Sequence, residues 1–595
     1  MFLFKKQTWL TSALLLTLTA CGGGGGGSGG SDTNDTPDNP NTPDNPDTSD
    51  TTAPTVSSTT PATSNTAVPR NSTITATFDE DIFATTVDAT SFTLTQSGSI
   101  SGEVTFDGSN NVATLTPTAD LSILTTYTAT LSTQITDLNG NPLAADYSWS
   151  FTTTEGAWGT AEMIEDNAED ASTPQIAFDN SGNAIAVWSQ NNGADINPVN
   201  NIWANHFDGS TAEWGAAELI EADAGDATSP QLAVDSSGNA IAVWSQGIGL
   251  PSQTNIMSNR FDGTDWGTAE LIETGAGNAA SPQVAFDNSG NAIAVWSQSD
   301  GLLTPIVDIM TNRFDSTTAE WGTAESIEDG TGDAASPQVA FDSSGNAIAV
   351  WSQNDDSVDN IMANRFNGTV ESDDFGWGDA ELIETGAGNA ASPQVAFDNS
   401  GNAIAVWSQN NVADIDPVDN IMAHRLIFDD TGLISTAVLI GGESTGNAAS
   451  PQVATDSSGN AIAVWQQNDG AETPVDNIMA NRFDGTVWGT AESIEADAGN
   501  AASPQVAFDS SGNAIAVWSQ DNVAETPVDN IMVNRFNGNV WGSTAESIET
   551  DDTGNAASPQ VALDSSGNAI AVWSQNDGAV DNIMANSFRN DVDAL

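Results

Sequence analysis

The sequence predicts an all-β protein: a small antiparallel β-sandwich followed by an eight-bladed β-propeller that its own first strand closes. Three observations predict it. Residues 53–154 carry short period-two runs of Thr, Val, Ile and Phe punctuated by Gly, Asn and Asp. A unit reading Pro-Gln-x-Ala-x-Asp-x-Ser-Gly-Asn-Ala-Ile-Ala-Val-Trp then recurs from Pro174, Pro230, Pro282, Pro337, Pro393, Pro451, Pro504 and Pro559, at steps of 52 to 58 residues. Periods of that size mark solenoids, propellers or arrays. The phase of the repeat is also permuted, with an unpaired fourth-strand sequence before the first unit and a vacancy after the last.

The chain opens with Lys5 and Lys6 ahead of an apolar run from Trp9 to Leu18, too short to span a bilayer and patterned like a secretory signal. It ends at Leu18-Thr19-Ala20-Cys21-Gly22, which resembles the lipobox of bacterial lipoproteins. An ordinary signal peptide with an incidental cysteine is the plainer reading, but Cys21 is the only cysteine of the chain. The resemblance implies cleavage before Cys21, diacylation of its sulfur and acylation of its new amino terminus. Gly22 in place of Asp after the cysteine implies the outer membrane of a Gram-negative envelope. Several acyl chains anchor stably where one does not. Residues 22–52 follow, Gly-rich and then Asp/Pro/Asn-rich with no hydrophobe to seed a core, and read as a disordered tether with a coil reach of about 30 Å.

In residues 53–154 the strands expected are Thr73–Phe78, Ser91–Leu94, Val112–Leu115, Tyr127–Leu131 and Tyr147–Phe151, with Asp137-Leu138-Asn139-Gly140-Asn141 as a turn. Ala53-Pro54-Thr55-Val56, Ile74–Glu80, Leu138–Leu143 and Trp149–Thr153 are similar to the bacterial Ig-like domain first described in S-layer proteins. That resemblance implies a spacer or stalk.

Residues 155–595 form the repeats. Each unit offers four short strands: in one copy, Pro504–Phe508, Ala514–Gln520, Asn530–Phe536 and Trp541–Ile548. Asp509-Ser510-Ser511-Gly512-Asn513 joins the first two, the Asp bonding turn backbone and the Gly taking positive φ. Ala-Ile-Ala-Val-Trp is apolar on both faces, as a sheet buried between two neighbours requires. Four antiparallel strands repeated radially make a propeller blade. The orphan Trp158-Gly159-Thr160-Ala161-Glu162 matches the fourth strand missing after Asn582–Phe588, and pairing them hides two open edges. The Asp-x-Ser-Gly-Asn hairpin loosely resembles NHL-type propeller repeats, which implies the same fold.

Charge narrows the partners. There are 81 Asp+Glu against 10 Lys+Arg, a net charge of -71. Nucleic acid, heparin-like polyanions and anionic lipid headgroups would all meet a like-charged surface. Self-repulsion of this order fits a salty habitat, where it is screened. After processing the chain would hold eight Arg and no Lys. Six of these, Arg260, Arg313, Arg365, Arg425, Arg482 and Arg535, share one strand position, with His206 and Ser587 in the other two repeats. Cross-strand pairing with a fourth-strand Glu, such as Glu492 or Glu495, is expected of them before an anion-binding ring. Trp188, Trp244, Trp296, Trp351, Trp407, Trp465, Trp518 and Trp573 are expected in the core. The Trp series starting at Trp158 has sugar stacking as its second reading.

No catalytic residue stands out. His206 and His424 are the only histidines, and no HExxH, GxSxG or nucleotide-binding loop occurs. The loops between second and third strands are acidic, through Asp195, Asp355, Asp356, Asp414, Asp416, Glu472, Glu525 and Asp577. Asp359, Asp419, Asp476, Asp529 and Asp581 recur at their ends. Hydration is the first reading of this crown and loose calcium binding the second, since the ligand spacing of an EF-type loop is lacking. No other cofactor is expected. The sequence thus points to a lipid-anchored cell-surface or outer-membrane binding protein, its propeller on an Ig-like stalk and its ligand a glycan or another envelope protein. The alternative is an extracellular carbohydrate-active hydrolase or lyase, because two-carboxylate chemistry needs only residues that are abundant here.

Overall fold

The computed structural model describes residues between Asp50 and Arg589, apart from short stretches that fall mostly in loops. The lipobox with Cys21, the tether up to residue 49, and Asp195, Asp356, Asp414, Asp416, Glu472 and Glu525 lie outside the described residues. No helix among those described is long and apolar enough to cross a membrane.

Alternation of apolar and polar side chains splits residues 56–152 into two four-stranded antiparallel sheets. One has the order Val56–Thr60, Ile74–Phe78, Val112–Pro117, Gly102–Asp107; the other Ser99–Ile100, Phe92–Thr95, Thr126–Leu131, Tyr147–Thr152. Their inner faces bury Ile74, Leu94, Ala129, Trp149 and Phe151 against one another. All five expected strands are present, and the strands at Val56–Thr60, Ser99–Ile100 and Gly102–Asp107 are additions. Asp137 makes the expected turn: it is buried, and its carboxylate accepts from the amides of Asn139 (2.9 Å) and Asn141 (2.8 Å) and from Asn141 Nδ2 (2.7 Å).

From residue 157 onward the chain forms eight sheets of one kind, here called repeats one to eight, whose first strands begin at Ala171, Ala227, Ala279, Ala334, Ala390, Ala448, Ala501 and Ala556. Each orders its strands sequentially. In repeat eight the outermost position is taken by Ala157–Trp158 and Glu162–Met163, which pair with Asp581–Arg589 in the registers Trp158↔Phe588 and Met163↔Met584. The first strands start three residues before the expected Pro and bulge there, because the residue before each Pro, Thr173 or a Ser, holds a positive φ of 51–54°. The fourth strands are broken rather than continuous: in repeat seven Trp541 bridges Phe536, and pairing resumes only at Glu546–Ser547.

Packing between repeats follows from strand alternation. In the second strands Ala and Trp face the preceding repeat while Ile and Val face the next, so Ile185, Val187 and Ile202 of repeat one meet Ala240, Ala242 and Trp244 of repeat two. The same grouping joins Ile570, Val572 and Ile583 of repeat eight to Ala184, Ala186 and Trp188 of repeat one, with Ile164 among them. All eight second-strand tryptophans are fully buried.

Two polar devices recur between a repeat and the one before, and neither was anticipated from sequence. The third-strand Asn sends its Nδ2 to the backbone carbonyl of an Ile after the preceding repeat's fourth strand, as Asn534 does to Ile494 (2.7 Å) and Asn586 to Ile548 (2.7 Å). Asn205 does so to Ile164 at 2.7 Å. The buried Trp indole donates to a Gln two residues on, and that Gln donates to a Glu of the preceding repeat's end: Trp188 Nε1 to Gln190 Oε1 (2.9 Å), then Gln190 Nε2 to Glu165 Oε2 (2.6 Å). Without these partners buried indole and amide groups would cost about 1–3 kcal/mol each.

Candidate functional site

The Arg position of the third strand lies at the seam between repeats. It lies on the face shared with Ile531 and Val533 in repeat seven, hence toward the next repeat. Arg260, Arg313, Arg425, Arg482 and Arg535 lay their guanidinium groups over Phe314, Phe366, Phe483, Phe536 and Phe588 of the following repeat, at 4.8–5.7 Å from the ring centroids. The expected cross-strand partner is found for Arg535, whose Nη2 lies 3.2 Å from Glu546. Arg482 instead has neither Glu492 nor Glu495 as a partner among the described residues, and Glu495 accepts from Gln520 Nε2 (3.0 Å). Arg425 pairs with the turn residue Asp398 at 2.9 Å, its fourth strand offering Val438 and Leu439 in place of Glu. An ion pair with an exposed Glu gains little in water, whereas the stacked guanidinium covers an aromatic face as well.

Where the series breaks, cavities lie beside the break. In repeat one His206 is shorter than Arg, and a cavity of about 590 Å³ lies between repeats one and two, lined among others by Asp179, His206, Phe207, Asp208, Glu213 and Trp214. The imidazole stacks on Phe261 (centroids 4.4 Å apart). Its Nε2 is 3.3 Å from Trp266 Nε1 and 3.2 Å from Glu218 Oε1. Neutral, that nitrogen accepts from the indole; protonated, it donates to the carboxylate. Burial holds the His206 pKa below its usual value although Glu218 pulls the other way. Asp208 is held low by the Ser210 hydroxyl and amide, so it is ionised at the cavity rim.

In repeat eight Ser587 occupies the position, and a cavity of about 180 Å³ lies between repeats eight and one. It is lined by Ser181, Phe207, Asp564, Ser566, Ser587 and Arg589, with others. Arg589, two residues beyond the series position, reaches over Phe207 of repeat one at 6.0 Å. Both cavities open at the Asp-x-Ser-Gly-Asn turns and both touch Ser181, so together they flank repeat one. That end is opposite the acidic loops, the face expected from sequence to carry a ligand. The signal was present in the letters, as the two exceptions in the Arg series.

A third cavity, about 420 Å³, lies between repeats three and four and is lined by Arg313, Glu320, Trp321, Glu325, Phe366 and Trp377, among others. Burial raises Glu325 to about 7.

The five candidate calcium ligands sit one per repeat at the heads of third strands. The amides of Asp359, Asp419, Asp476 and Asp529 donate to Asn389, Asn447, Asn500 and Asn555 of the next repeat at 3.1–3.2 Å, and Asp581 donates to Asp170. Burial raises Asp419, and burial with the facing Asp521 raises Asp529. The structure does not bring the five together, and among the described residues none of them joins two further metal-ligating groups within coordination distance. Each Asp-x-Ser-Gly-Asn aspartate is taken up by its own turn, as Asp179 is by the Ser181 and Asn183 amides, both at 2.8 Å. His424 replaces the third-strand Asn and makes the same bond, its Nδ1 2.7 Å from the Ile383 carbonyl. The fourth-strand tryptophans pack on third-strand phenylalanines, Trp158 on Phe588 at 5.5 Å for instance.

Residues 50–153 match the bacterial Ig-like domain. No curated protein matches the chain. Among solved structures, it is similar to the β-propeller domain of the trilobed protease from Pyrococcus furiosus, at 9% identity over 65% of this chain and 98% of that one, with a TM-score of 0.38. It is also similar to the NanB sialidase of Streptococcus pneumoniae (10% identity, 72% and 94% covered, TM-score 0.32). A further similarity is to an α-L-arabinanase of Penicillium chrysogenum (12% identity, 52% and 92% covered, TM-score 0.32). At these scores the functional reading rests on the residues alone.

Proposed function

We propose that this is a lipid-anchored protein of the bacterial cell envelope, its eight repeats closed into a propeller, that binds a glycan in the groove flanking repeat one. Closure is supported by the Trp158↔Phe588 and Met163↔Met584 pairings, by the Asn205–Ile164 bond and by the cluster joining repeats eight and one. Envelope placement is supported by the Leu-Thr-Ala-Cys21 box and by the Ig-like match, a domain that occurs in bacterial surface proteins. The observation that carries the binding reading is the pair of cavities beside His206 and Ser587. Aromatic faces from Phe207 and Trp214 with carboxylates at Asp208 and Glu213 suit a polyol ring, which stacks on the first and donates hydroxyls to the second.

A glycan array probed with the mature chain tests this, followed by product analysis of any hit. Retention without cleavage, lost when His206→Arg fills the larger cavity, is the expected result. An array without a hit, or capture only of an envelope protein, refutes the glycan reading. One observation favours a hydrolase as second reading: Glu325, half-protonated near neutrality, shares a cavity with Glu320, the pairing of acid and base that glycoside cleavage uses. Released sugar that Glu325→Gln abolishes would establish that reading.

A further inference from the structure

The cavities of about 590 Å³ between repeats one and two and about 420 Å³ between repeats three and four share a wall that the sequence writes twice. Phe207-Asp208-Gly209-Ser210-Thr211-Ala212-Glu213-Trp214-Gly215 of repeat one corresponds to Phe314-Asp315-Ser316-Thr317-Thr318-Ala319-Glu320-Trp321-Gly322 of repeat three. The Trp follows the Phe by seven positions in these two repeats and by five in repeats two, six and seven. In the shorter hairpins Trp266, Trp488 and Trp541 meet Phe261, Phe483 and Phe536 only through single bridges. The longer ones pair one step further, Asp208 with Glu213 and Asp315 with Glu320. Both close alike: the Ala212 amide donates to the Asp208 carbonyl and the Ala319 amide to the Asp315 carbonyl, each at 2.8 Å. Ala212 and Ala319 take positive φ of 60° and 57° to do so, a region that residues with a Cβ avoid.

The fold gains nothing from this arrangement, since like charges placed directly opposite on paired strands repel. Asp208 and Asp315 are ionised, held low by the hydroxyls and amides of Ser210 and Thr317. The aspartate, threonine and glutamate of each hairpin are exposed and its tryptophan is half-buried, so all four can be touched from the cavity they line. These are Asp208, Thr211, Glu213 and Trp214 in the one and Asp315, Thr318, Glu320 and Trp321 in the other. Each indole meets its phenylalanine edge-on, at 5.4 and 5.6 Å. The remaining lining differs. The larger cavity extends beside His206 to Asp179, Ser181 and Asn183, while in the other Arg313 lies over Phe366 and the space reaches Glu325 and Trp377.

We infer that this hairpin is a glycan-binding wall present in two copies, so that the chain holds a neutral polysaccharide at two points, one in each seam. The inference rests on the glycan reading of the cavity beside His206 and names the class of glycan. It is a polymer because a repeated unit offers the same hydroxyls to both walls. It is neutral because the opposed carboxylates accept from hydroxyls but repel an acidic ring, and Trp214 and Trp321 supply the apolar surface. Two sites engaged together hold a polymer far more tightly than either alone, so losing one is enough to lose retention on an array.

The experiment titrates the mature chain calorimetrically with neutral oligosaccharides of glucose, mannose, galactose and arabinose, each beside its polymer. The oligosaccharide that binds should fill two sites per chain, and its polymer should bind about a hundredfold or more tighter. Replacing Asp315–Glu320 by Asp-Gly-Thr-Val, the turn of repeat six at Asp484–Val487, removes one wall with a hairpin this fold already carries. One site should remain, and the polymer should bind no better than its oligosaccharide. The same replacement of Asp208–Glu213 should act alike. Should the replacements misfold, Glu320→Arg and Glu213→Arg, at exposed positions, should each remove one site. Trp541→Ala, at the same strand position in a repeat with the short hairpin, should change neither the count nor the gain. One site per chain, a count unchanged by the variants of repeat three, a polymer no tighter than its oligosaccharide, or a uronate polymer held as tightly overturns the inference. The glycan reading stands in those cases on the site that His206→Arg removes. Binding of no saccharide, neutral or acidic, overturns both.

Discussion

Ile164 offers the sharpest test of how the repeats are joined. It follows the N-terminal strand that pairs with repeat eight, and it is 2% exposed, packed among Ile570, Val572, Ile583 and Trp188. Its amide donates to the Ile583 carbonyl at 3.0 Å, and its own carbonyl accepts from Asn205. Ile327 occupies the equivalent place after the fourth strand of repeat three, 5% exposed, donating to the Ile309 carbonyl at 3.0 Å and accepting from Asn364. The two sites differ in one respect: Ile327 is preceded by its own repeat, while Ile164 is separated from repeat eight by the rest of the chain. Truncating a buried Ile to Ala costs about 2–5 kcal/mol, through lost transfer energy and the cavity left behind. If the N-terminal strand closes the ring, Ile164→Ala and Ile327→Ala should cost alike in urea unfolding followed by tryptophan fluorescence. Amides 162–164 should exchange with solvent as slowly as those at 325–327. A loss below about 0.5 kcal/mol at Ile164, the scale of ordinary surface substitutions, with the full loss at Ile327, would refute closure and remove the small cavity between repeats eight and one.

Three further outcomes are expected. Glu325 keeps its proton more tightly in the folded chain, with a pKa raised from 4.5 to about 7, so its contribution to stability is full below 4.5 and is lost as pH rises to about 7. Glu325→Gln should therefore flatten the fall in urea midpoint between pH 5 and 8, and an unchanged slope would show the carboxyl to be solvated. His206 is shifted the other way, by burial, so its contribution is present above 6.5 and is lost as pH falls. Nitrogen NMR of the imidazole should report Nε2 accepting from Trp266 at neutral pH and donating to Glu218 in acid, and a titration at the ordinary histidine value would count against the buried geometry. Cys21→Ala should abolish incorporation of labelled fatty acid and release the chain from membranes, and a variant still labelled would place the lipid elsewhere.

The strands were legible in the sequence because their periodicity is unusually plain. Ala-Ile-Ala-Val-Trp has no polar face, so it had to lie between two sheets, and the structure buries every residue of it. What was hidden depends on neighbours distant in sequence. Arg482 has a Glu ten residues away that reads as its partner, but the ring it meets is Phe536, in the next repeat. Gln190 reads as an ordinary polar strand end until Trp188 and Glu165 stand on either side of it. The bulge before each Pro was hidden because Ser and Thr are not residues that advertise a left-handed φ, and the break in the fourth strand because Trp-Gly followed by small residues suits a strand as well as a loop. The ligand face was placed at the acidic loops from general propeller geometry. The cavities beside His206 and Ser587 lie at the other end, where a shorter side chain at one strand position leaves room between repeats.

Departures from the repeat differ in what they do, and that difference selects the site. His424 replaces an Asn and makes the same bond to the Ile383 carbonyl, so the interface it serves is unchanged. Gly441 stands where other repeats place a Glu, and Gln467 donates to the Gly446 carbonyl at 3.4 Å; a cavity of about 270 Å³ forms beside it, with Asp469 the one charged side chain in its described lining. His206 and Ser587 both shorten the side chain at the stacking position, in repeats one and eight, which pack against each other, and both cavities gain groups the other repeats lack. One has an imidazole poised between an indole and a carboxylate. The other has the Arg589 side chain in its lining. A drifting repeat loses contacts at random; two losses on either side of one repeat, each accompanied by a new polar residue in the lining, are what selection for a ligand would leave.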